Sequence, residues 1–379
     1  MTSKATANTD AIPKQPDHLV LLRDGVETYP EMLRAIAGAK RSICVQTYVL
    51  RSDRTGWRFA EALIERSRSG VEVSLMYDAW GSSISSEFAQ ALRAADVRTL
   101  AFNPLRLSGR LRRALARLRK RSHRKMLVVD CAVAFVGGTN LSDDYAPPEE
   151  GGRGWRDTNV RVEGPAAQQA QALFAETWLK SGGEPFRLTR VEPAVAGLGR
   201  VRLVGERLHA DRRRVRDAYL RAIASARRTI HITNAYFLPT HRVRRALARA
   251  AHRGVQVLVI LPGTTDLPIV RLASQHLFPG LLRRGIRLFE WTGPVLHAKT
   301  AAVDNRWATV GSSNLDPLSL RVNLEANVVV EDQDFARKLE GMFLEDLARC
   351  REILTGEWAR RPPILRFASW IAYRFRRWL

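Results

Sequence analysis

Acidic residues are in short supply: 38 Asp and Glu stand against 61 Lys and Arg, a formal charge of +23 over 379 residues. A deficit of that size favours polyanionic partners, nucleic acid or an anionic lipid surface, and is silent about fold. Cysteine is rarer still. Cys44, Cys131 and Cys350 sit at unrelated spacings, which excludes a disulfide framework and a cysteine metal site and reads as plain buried thiols in a reducing compartment. No run approaches the roughly 20 apolar residues a spanning helix needs, so the expectation is a soluble or peripheral protein. The stretch "MTSKATANTDAIPKQPD" has no apolar centre of the signal-peptide kind and reads as a disordered tail, residues 1–17.

What the chain does have is itself, twice. "AIAGAKRSICVQTY" (35–48) returns as "AIASARRTIHITNAY" (222–236), and "RSGVEV" (68–73) returns as "HRGVQV" (252–257). "HRKMLVVDCAVAFVGGTN" (123–140) returns as "HAKTAAVDNRWATVGSSN" (297–314), and "DTNVRV" (157–162) as "EANVVV" (325–330). The offsets fall from 187 through 184 and 174 to 168, so block order is kept while the later loops shorten. Helix, strand, helix and strand alternate before each His block. Strands such as "VQVLVIL" (255–261) are continuously apolar, as in a sheet covered on both faces. The expected fold is α/β: two similar α/β/α halves with mixed central sheets, residues 18–185 and 198–355, joined by a linker at 186–197. A pseudo-twofold axis relates the halves, and the active site lies between them.

Within each His block, His123 and Lys125, or His297 and Lys299, are two apart, which puts both side chains on one face of a strand. Asp130 and Asp304 lie at an odd offset, seven further on, beside a turn; they read as structural carboxylates that tie down a hairpin. Asn140 and Asn314 follow each His by 17 residues. At the axis, two imidazoles, two ammonium groups and two carboxamides would share one pocket. Such a set suits phosphodiester chemistry without a metal or other cofactor. An imidazole with an ordinary pKa of about 6.5 can attack while a second, protonated one serves as general acid. Lysines and carboxamides can hold the equatorial oxygens of a five-coordinate phosphorus. A covalent intermediate lets an alcohol other than water finish the reaction. Each imidazole needs an acceptor on its other nitrogen, and Asp157 and Glu325 occupy matching positions for that role.

These blocks resemble the HxKxxxxD…G[GS]xN signature of the phospholipase D superfamily over nearly the whole chain. "GWRDTNVRVEGPA" and "HAKTAAVD…GSSNLDPLSLRVNLEANVVV" are most similar to bacterial cardiolipin synthases of the shorter type, without N-terminal membrane spans. The resemblance implies that His123 forms a phosphohistidine and that His297 protonates the leaving alkoxide. Lys125, Lys299, Asn140 and Asn314 would bind phosphate, and Asp157 and Glu325 would orient the imidazoles. It further implies transfer between two phosphatidylglycerol molecules, with release of glycerol. The first copy has Gly138 where the second has Ser312, so a serine hydroxyl is available in one half alone.

The superfamily also contains nucleases, and two segments bear on the choice. In "PPILRFASWIAYRFRRWL" (362–379), Ile364, Phe367, Ala368, Ile371, Phe375 and Trp378 recur at helical spacing opposite Arg366, Arg376 and Arg377. Residues 356–379 are therefore expected as a basic amphipathic helix that either lies in a lipid interface or docks its stripe on the protein. "RLSGRLRRALARLRKRSHRK" (106–125) carries ten basic residues and could rest on anionic headgroups or track a phosphate backbone. The stretch "LPIVRLASQHLFPGLL" (267–282) reads equally as a border of the acyl entrance or as a core helix. The expectation is a peripheral phosphatidyltransferase on the cytoplasmic face of an anionic membrane. Phospholipase D-type hydrolysis, or a metal-independent nuclease acting on nucleic acid, is the alternative.

Overall fold

In a computed structural model of the chain, residues 17–104, 121–185, 200–206, 213–376 and 378 are described. The expected tail but for Asp17, the 186–197 linker and most of the basic stretch 106–125 lie outside them.

Each repeated block folds into the same piece of sheet. The first half builds a seven-stranded sheet from β1 (His18–Arg23), β2 (Ser42–Thr47), β3 (Glu72–Asp78), β4 (Arg98–Phe102), β5 (Met126–Val129), β6 (Val133–Gly137) and β7 (Thr158–Glu163). Its spatial order is β1-β7-β6-β5-β2-β3-β4. The second half uses β8 (Val201–Gly205), β9 (Thr229–Asn234), β10 (Gln256–Pro262), β11 (Ile286–Trp291), β12 (Lys299–Val303), β13 (Trp307–Gly311) and β14 (Ala326–Val330), with β15 (Cys350–Glu352) added at the far edge. Read from β8, the order β8-β14-β13-β12-β9-β10-β11-β15 matches the first sheet strand for strand. In both, β2–β3–β4 and β9–β10–β11 pair in parallel and the rest antiparallel, so the sheets are mixed as expected.

Local chemistry explains where the helices start and stop. Asp53 caps α2 (Arg54–Arg68) by accepting from the Gly56 N–H, and Ser85 caps α3 (Ser86–Ala94) through the Phe88 N–H. The helix of the first block is α1 (Asp24–Ala37), and α4 (Pro165–Lys180) follows β7. In the second half α5 (Arg214–Ser225) and α6 (His241–His252) mirror α1 and α2. The repeated Gly70 and Gly254 take φ of 87° and 86° just past α2 and α6, a left-handed step that favours glycine. Two short helices, α7 (Pro268–Gln275) and α8 (Phe278–Leu282), precede β11, and α9 (Gln333–Leu347) covers the second sheet.

The halves meet through β6 and β7 against β13 and β14. Val136, Val160, Ala308, Val310 and Val328 are buried in one apolar cluster drawn from both halves. Each aliphatic side chain removed from water there contributes about 1.5–3 kcal/mol before entropy is counted. A polar clamp crosses the same seam: Arg156 Nη2 lies 2.6 Å and Arg23 Nη2 2.5 Å from the buried Asp346 carboxylate on α9. Arg124, fully buried, donates to the main-chain oxygens of Glu325 and Glu206 in the second half. The seam thus fixes one half against the other.

At the C-terminus the structure refines the single helix expected over 356–379. It forms α10 (Thr355–Ala359) and α11 (Pro363–Arg374), so the α-helix stops short of Phe375 and Trp378. Of the cysteines only Cys44 is buried; Cys131 and Cys350 are partly exposed, contrary to the expectation of three buried thiols, because each lies at a sheet margin.

Candidate active site

Strand geometry delivers the His blocks to the seam. His123 and His297 lie on the segments entering β5 and β12, and each pairs with the other half rather than its own. The His123 N–H donates to Leu324 O at 2.9 Å, and the His297 N–H to Arg156 O at 2.7 Å. The residues that follow those two acceptors are Glu325 and Asp157. Each imidazole therefore meets a carboxylate from the opposite half. His123 Nδ1 lies 3.1 Å from both Glu325 oxygens, and His297 Nδ1 lies 2.8 Å from Asp157 Oδ2. A carboxylate acceptor fixes the proton on Nδ1 and leaves Nε2 with its lone pair. Both rings line one cavity of about 420 Å³, together with Asn140 and Asn314.

Burial dominates the electrostatics here. It lowers the pKa of His123, aided by Lys125 and opposed by Glu325. His297 is driven well below its ordinary value, by burial first and then by Lys299. Burial pushes Asp157 up to about 6, against the pull of Lys299. Burial alone would raise Glu325 too, but His123, Lys125 and the Ser312 hydroxyl together hold it below its ordinary value. Lys299 falls to about 8 and Lys125 lies well below its usual range, both chiefly through desolvation.

Residues 32–178 and 219–347 match the family described as cardiolipin synthase, PLD-like domain. The chain belongs to that family. It is 35% identical to cardiolipin synthase B of Escherichia coli (strain K12) over 332 residues, covering 86% of this chain and 79% of the relative. It is 32% identical over 354 residues to a cardiolipin synthase of Geobacillus kaustophilus (strain HTA426), covering 92% and 70%. Among solved structures, the phosphatidylserine synthase of Haemophilus influenzae Rd KW20 superposes with a TM-score of 0.74 over 95% of both chains at 12% identity, a likeness of fold.

Lys125 Nζ donates to His123 O at 2.7 Å, and Lys299 Nζ donates to His297 O. Each ammonium is thus tied to the main chain of its own histidine, with donors to spare. Neither lysine lines the cavity as the histidines and asparagines do, short of the expectation that both would share it. Asn140 Oδ1 accepts from the Val49 N–H at 3.0 Å while its Nδ2 donates to Tyr145 Oη at 2.8 Å; Asn314 Oδ1 accepts from the Tyr236 N–H at 3.1 Å. Asp130 and Asp304 lie away from the cavity. Asp130 accepts from the N–H groups of Lys40, Arg41 and Ser42, and Asp304 from those of Arg227, Arg228 and Thr229. Both stand at φ 52°, at the turn between the paired strands of each hairpin.

The exchange of Gly138 for Ser312 between the copies has a spatial reason. A Cβ on Gly138 would fall 2.1 Å from Asp157 Oδ1, whereas Ser312 Oγ donates to Glu325 Oε2 at 2.5 Å. A bare glycine faces the short carboxylate, and a hydroxyl faces the long one.

Several cavity residues escaped sequence reasoning. Tyr48 packs edge-on against His123 with ring centroids 4.9 Å apart, and Tyr236 approaches His297 at 6.1 Å. These were findable, since both end the repeated "QTY" and "NAY" blocks. Tyr145, whose Oη lies 3.1 Å from His297 Nδ1, and Asp266, which accepts from Tyr236 Oη at 2.6 Å, have no counterpart in the other repeat and gave no such signal. The 267–282 stretch is largely a core element, with its first residue at the cavity. Leu267 lines the cavity and is exposed, while Val270, Ala273, Phe278 and Leu281 enter the core.

Proposed function

We propose that the chain is a phosphatidyltransferase that makes cardiolipin from two phosphatidylglycerol molecules. His123 Nε2 attacks the phosphodiester phosphorus, and the bond to the glycerol headgroup breaks. His297 donates the proton that lets glycerol leave. The phosphatidyl group then rests on His123 until a hydroxyl of a second phosphatidylglycerol, deprotonated by His297, displaces it and restores both imidazoles. Lys125, Lys299, Asn140 and Asn314 hold the phosphate oxygens as charge builds on them. Water in place of the second lipid would give phospholipase activity.

The observation that carries this reading is the reciprocal pairing of two imidazoles on one cavity, each backed by a carboxylate of the opposite half. Burial and Lys299 hold His297 well below its ordinary pKa, and Glu325 faces His123, so exchanged roles for the pair are the second reading.

The substrate reading draws on the family and on the C-terminus. α11 packs on α7, buries Ser369 and Ala372, and leaves Ile364, Phe367, Ile371 and Phe375 outward. No described helix is long and apolar enough to cross a membrane. An apolar stripe flanked by arginines suits a helix lying in an anionic leaflet, and a positive chain favours the cytoplasmic face. The test is incubation of purified protein with phosphatidylglycerol liposomes, with lipids read by mass spectrometry. Cardiolipin from the wild type and none from His123→Ala supports the proposal. Mapping the phosphatidyl-labelled peptide assigns the nucleophile. DNA nicking without phosphatidyl transfer would replace the proposal with a nuclease.

A further inference from the structure

A second cavity, of about 610 Å³, opens between α6, the α7–α8 turn and the two C-terminal helices. It shares no lining residue with the catalytic cavity. Arg244, Arg283, Arg361 and Arg366 reach its wall, and no carboxylate does. Arg361 donates to Gln275 Oε1 at 2.9 Å and lies 4.2 Å over the Trp358 ring. The side chains of Arg244, Arg283 and Arg366 make no hydrogen bond or ion pair among the described residues. Arg244 Nε is buried without a hydrogen-bond partner. Like charges converging on one space, with a buried donor unsatisfied, are costly unless an anion joins them. Guanidinium forks are suited to phosphate oxygens.

The rest of the wall argues for more than a bare anion. Trp358, Trp370, Leu277 and Leu282 give it apolar sides, and its size falls in the range of small-ligand sites rather than that of one phosphate. Arg366 and Trp370 belong to α11, whose outward side leaves Ile364 75% and Phe367 60% exposed. A ligand with its phosphate among the arginines and its apolar part beside that stripe matches both surfaces. We propose that this cavity is a second, non-catalytic site for the phosphodiester headgroup of an anionic glycerophospholipid, which pins α11 to the leaflet. The inference rests on the lipid-surface reading given above. Because Trp378, four residues past α11, lines the catalytic cavity, the bound lipid also steadies one wall of the reaction site.

The test uses the full chain carrying His123→Ala, which does not turn over, and dissolved dihexanoyl-phosphatidylglycerol below its micelle concentration. Calorimetric titration should show two binding events per chain. Adding Arg244→Gln and Arg361→Gln should abolish one event or weaken it at least tenfold. The pair Arg244→Lys and Arg361→Lys should retain it in weakened form, which separates lost charge from lost folding. Dihexanoyl-phosphatidylcholine and inorganic phosphate should leave the site unfilled. An unchanged stoichiometry in the Gln pair overturns the proposal, as does equal filling by either control. If the wild type makes cardiolipin yet only one event is seen, the second site alone fails. If two events are seen and no cardiolipin forms, the catalytic reading alone fails.

Discussion

Replacing Glu325 with Gln removes one negative charge and little else. Both Glu325 oxygens lie 3.1 Å from His123 Nδ1, and the amide oxygen of Gln would still accept that proton, so the tautomer survives. At that separation and an effective dielectric of about 20, the carboxylate favours a positively charged His123 by about 5 kcal/mol. His123 carries positive charge in either assignment, as phosphohistidine or as general acid. With about 1.36 kcal/mol to each tenfold change, the chemical step should slow by roughly 10³- to 10⁴-fold. Ser312→Ala provides the scale: it removes one hydroxyl bond to the same carboxylate, about 1.5–3 kcal/mol, hence roughly 10- to 100-fold. The assay is single-turnover release of glycerol from phosphatidylglycerol vesicles, with thermal melts to show that both variants are folded. A loss below tenfold in Glu325→Gln, or a smaller loss than in Ser312→Ala, refutes the reasoning.

Other outcomes follow from the same geometry. Gly138→Ser should cost far more activity than Ser312→Gly, because its Cβ meets Asp157 Oδ1 at 2.1 Å; comparable rates would contradict the packing argument. The profile of kcat/KM against pH should be bell-shaped, with limbs near 6 and 8. Asp157 is ionised only above about 6, so His297 loses its charged acceptor as pH falls, and Lys299 loses its charge as pH rises through about 8. Asp157→Asn should remove the acid limb and leave the alkaline one. Asp130→Ala or Asp304→Ala should lower stability by about 2–3 kcal/mol, read from denaturant melts, since three main-chain donors lose their acceptor in each case. Phe367→Asp with Ile371→Asp should reduce sedimentation with phosphatidylglycerol vesicles while the melting temperature holds, because both side chains face outward.

Much of this was legible because duplication writes its own annotation. A strand, a tight turn and a second strand were readable in "HRKMLVVDCAVAFVGG", since the Asp at an odd offset cannot stay on the face of His123. The repeated glycines at 70 and 254 marked helix ends for a steric reason that any sequence displays. Which carboxylate serves which imidazole was not readable. Asp157 is 34 residues from His123 and in the same half, yet it bonds His297, because the pairing is set by the strand-like bridges between Ser122 and Leu324 and between Arg156 and Leu296. The docking of α11 was hidden for a different reason. Hydropathy draws the eye to its large apolar residues, but the residues that α11 buries are Ser369 and Ala372, with Tyr373 packed on His276 just past α7.

The crossed carboxylates make each half a tenant of the other. A half-chain folded alone would hold an imidazole without its anchor and an anchor without its imidazole, so severed halves should be inert singly and recover only when mixed. The same crossing forbids trading loops between copies one at a time: moving Ser312 into the first half makes sense only if Asp157 and Glu325 trade places with it. Duplication has here produced a lock whose two keys are no longer cut alike.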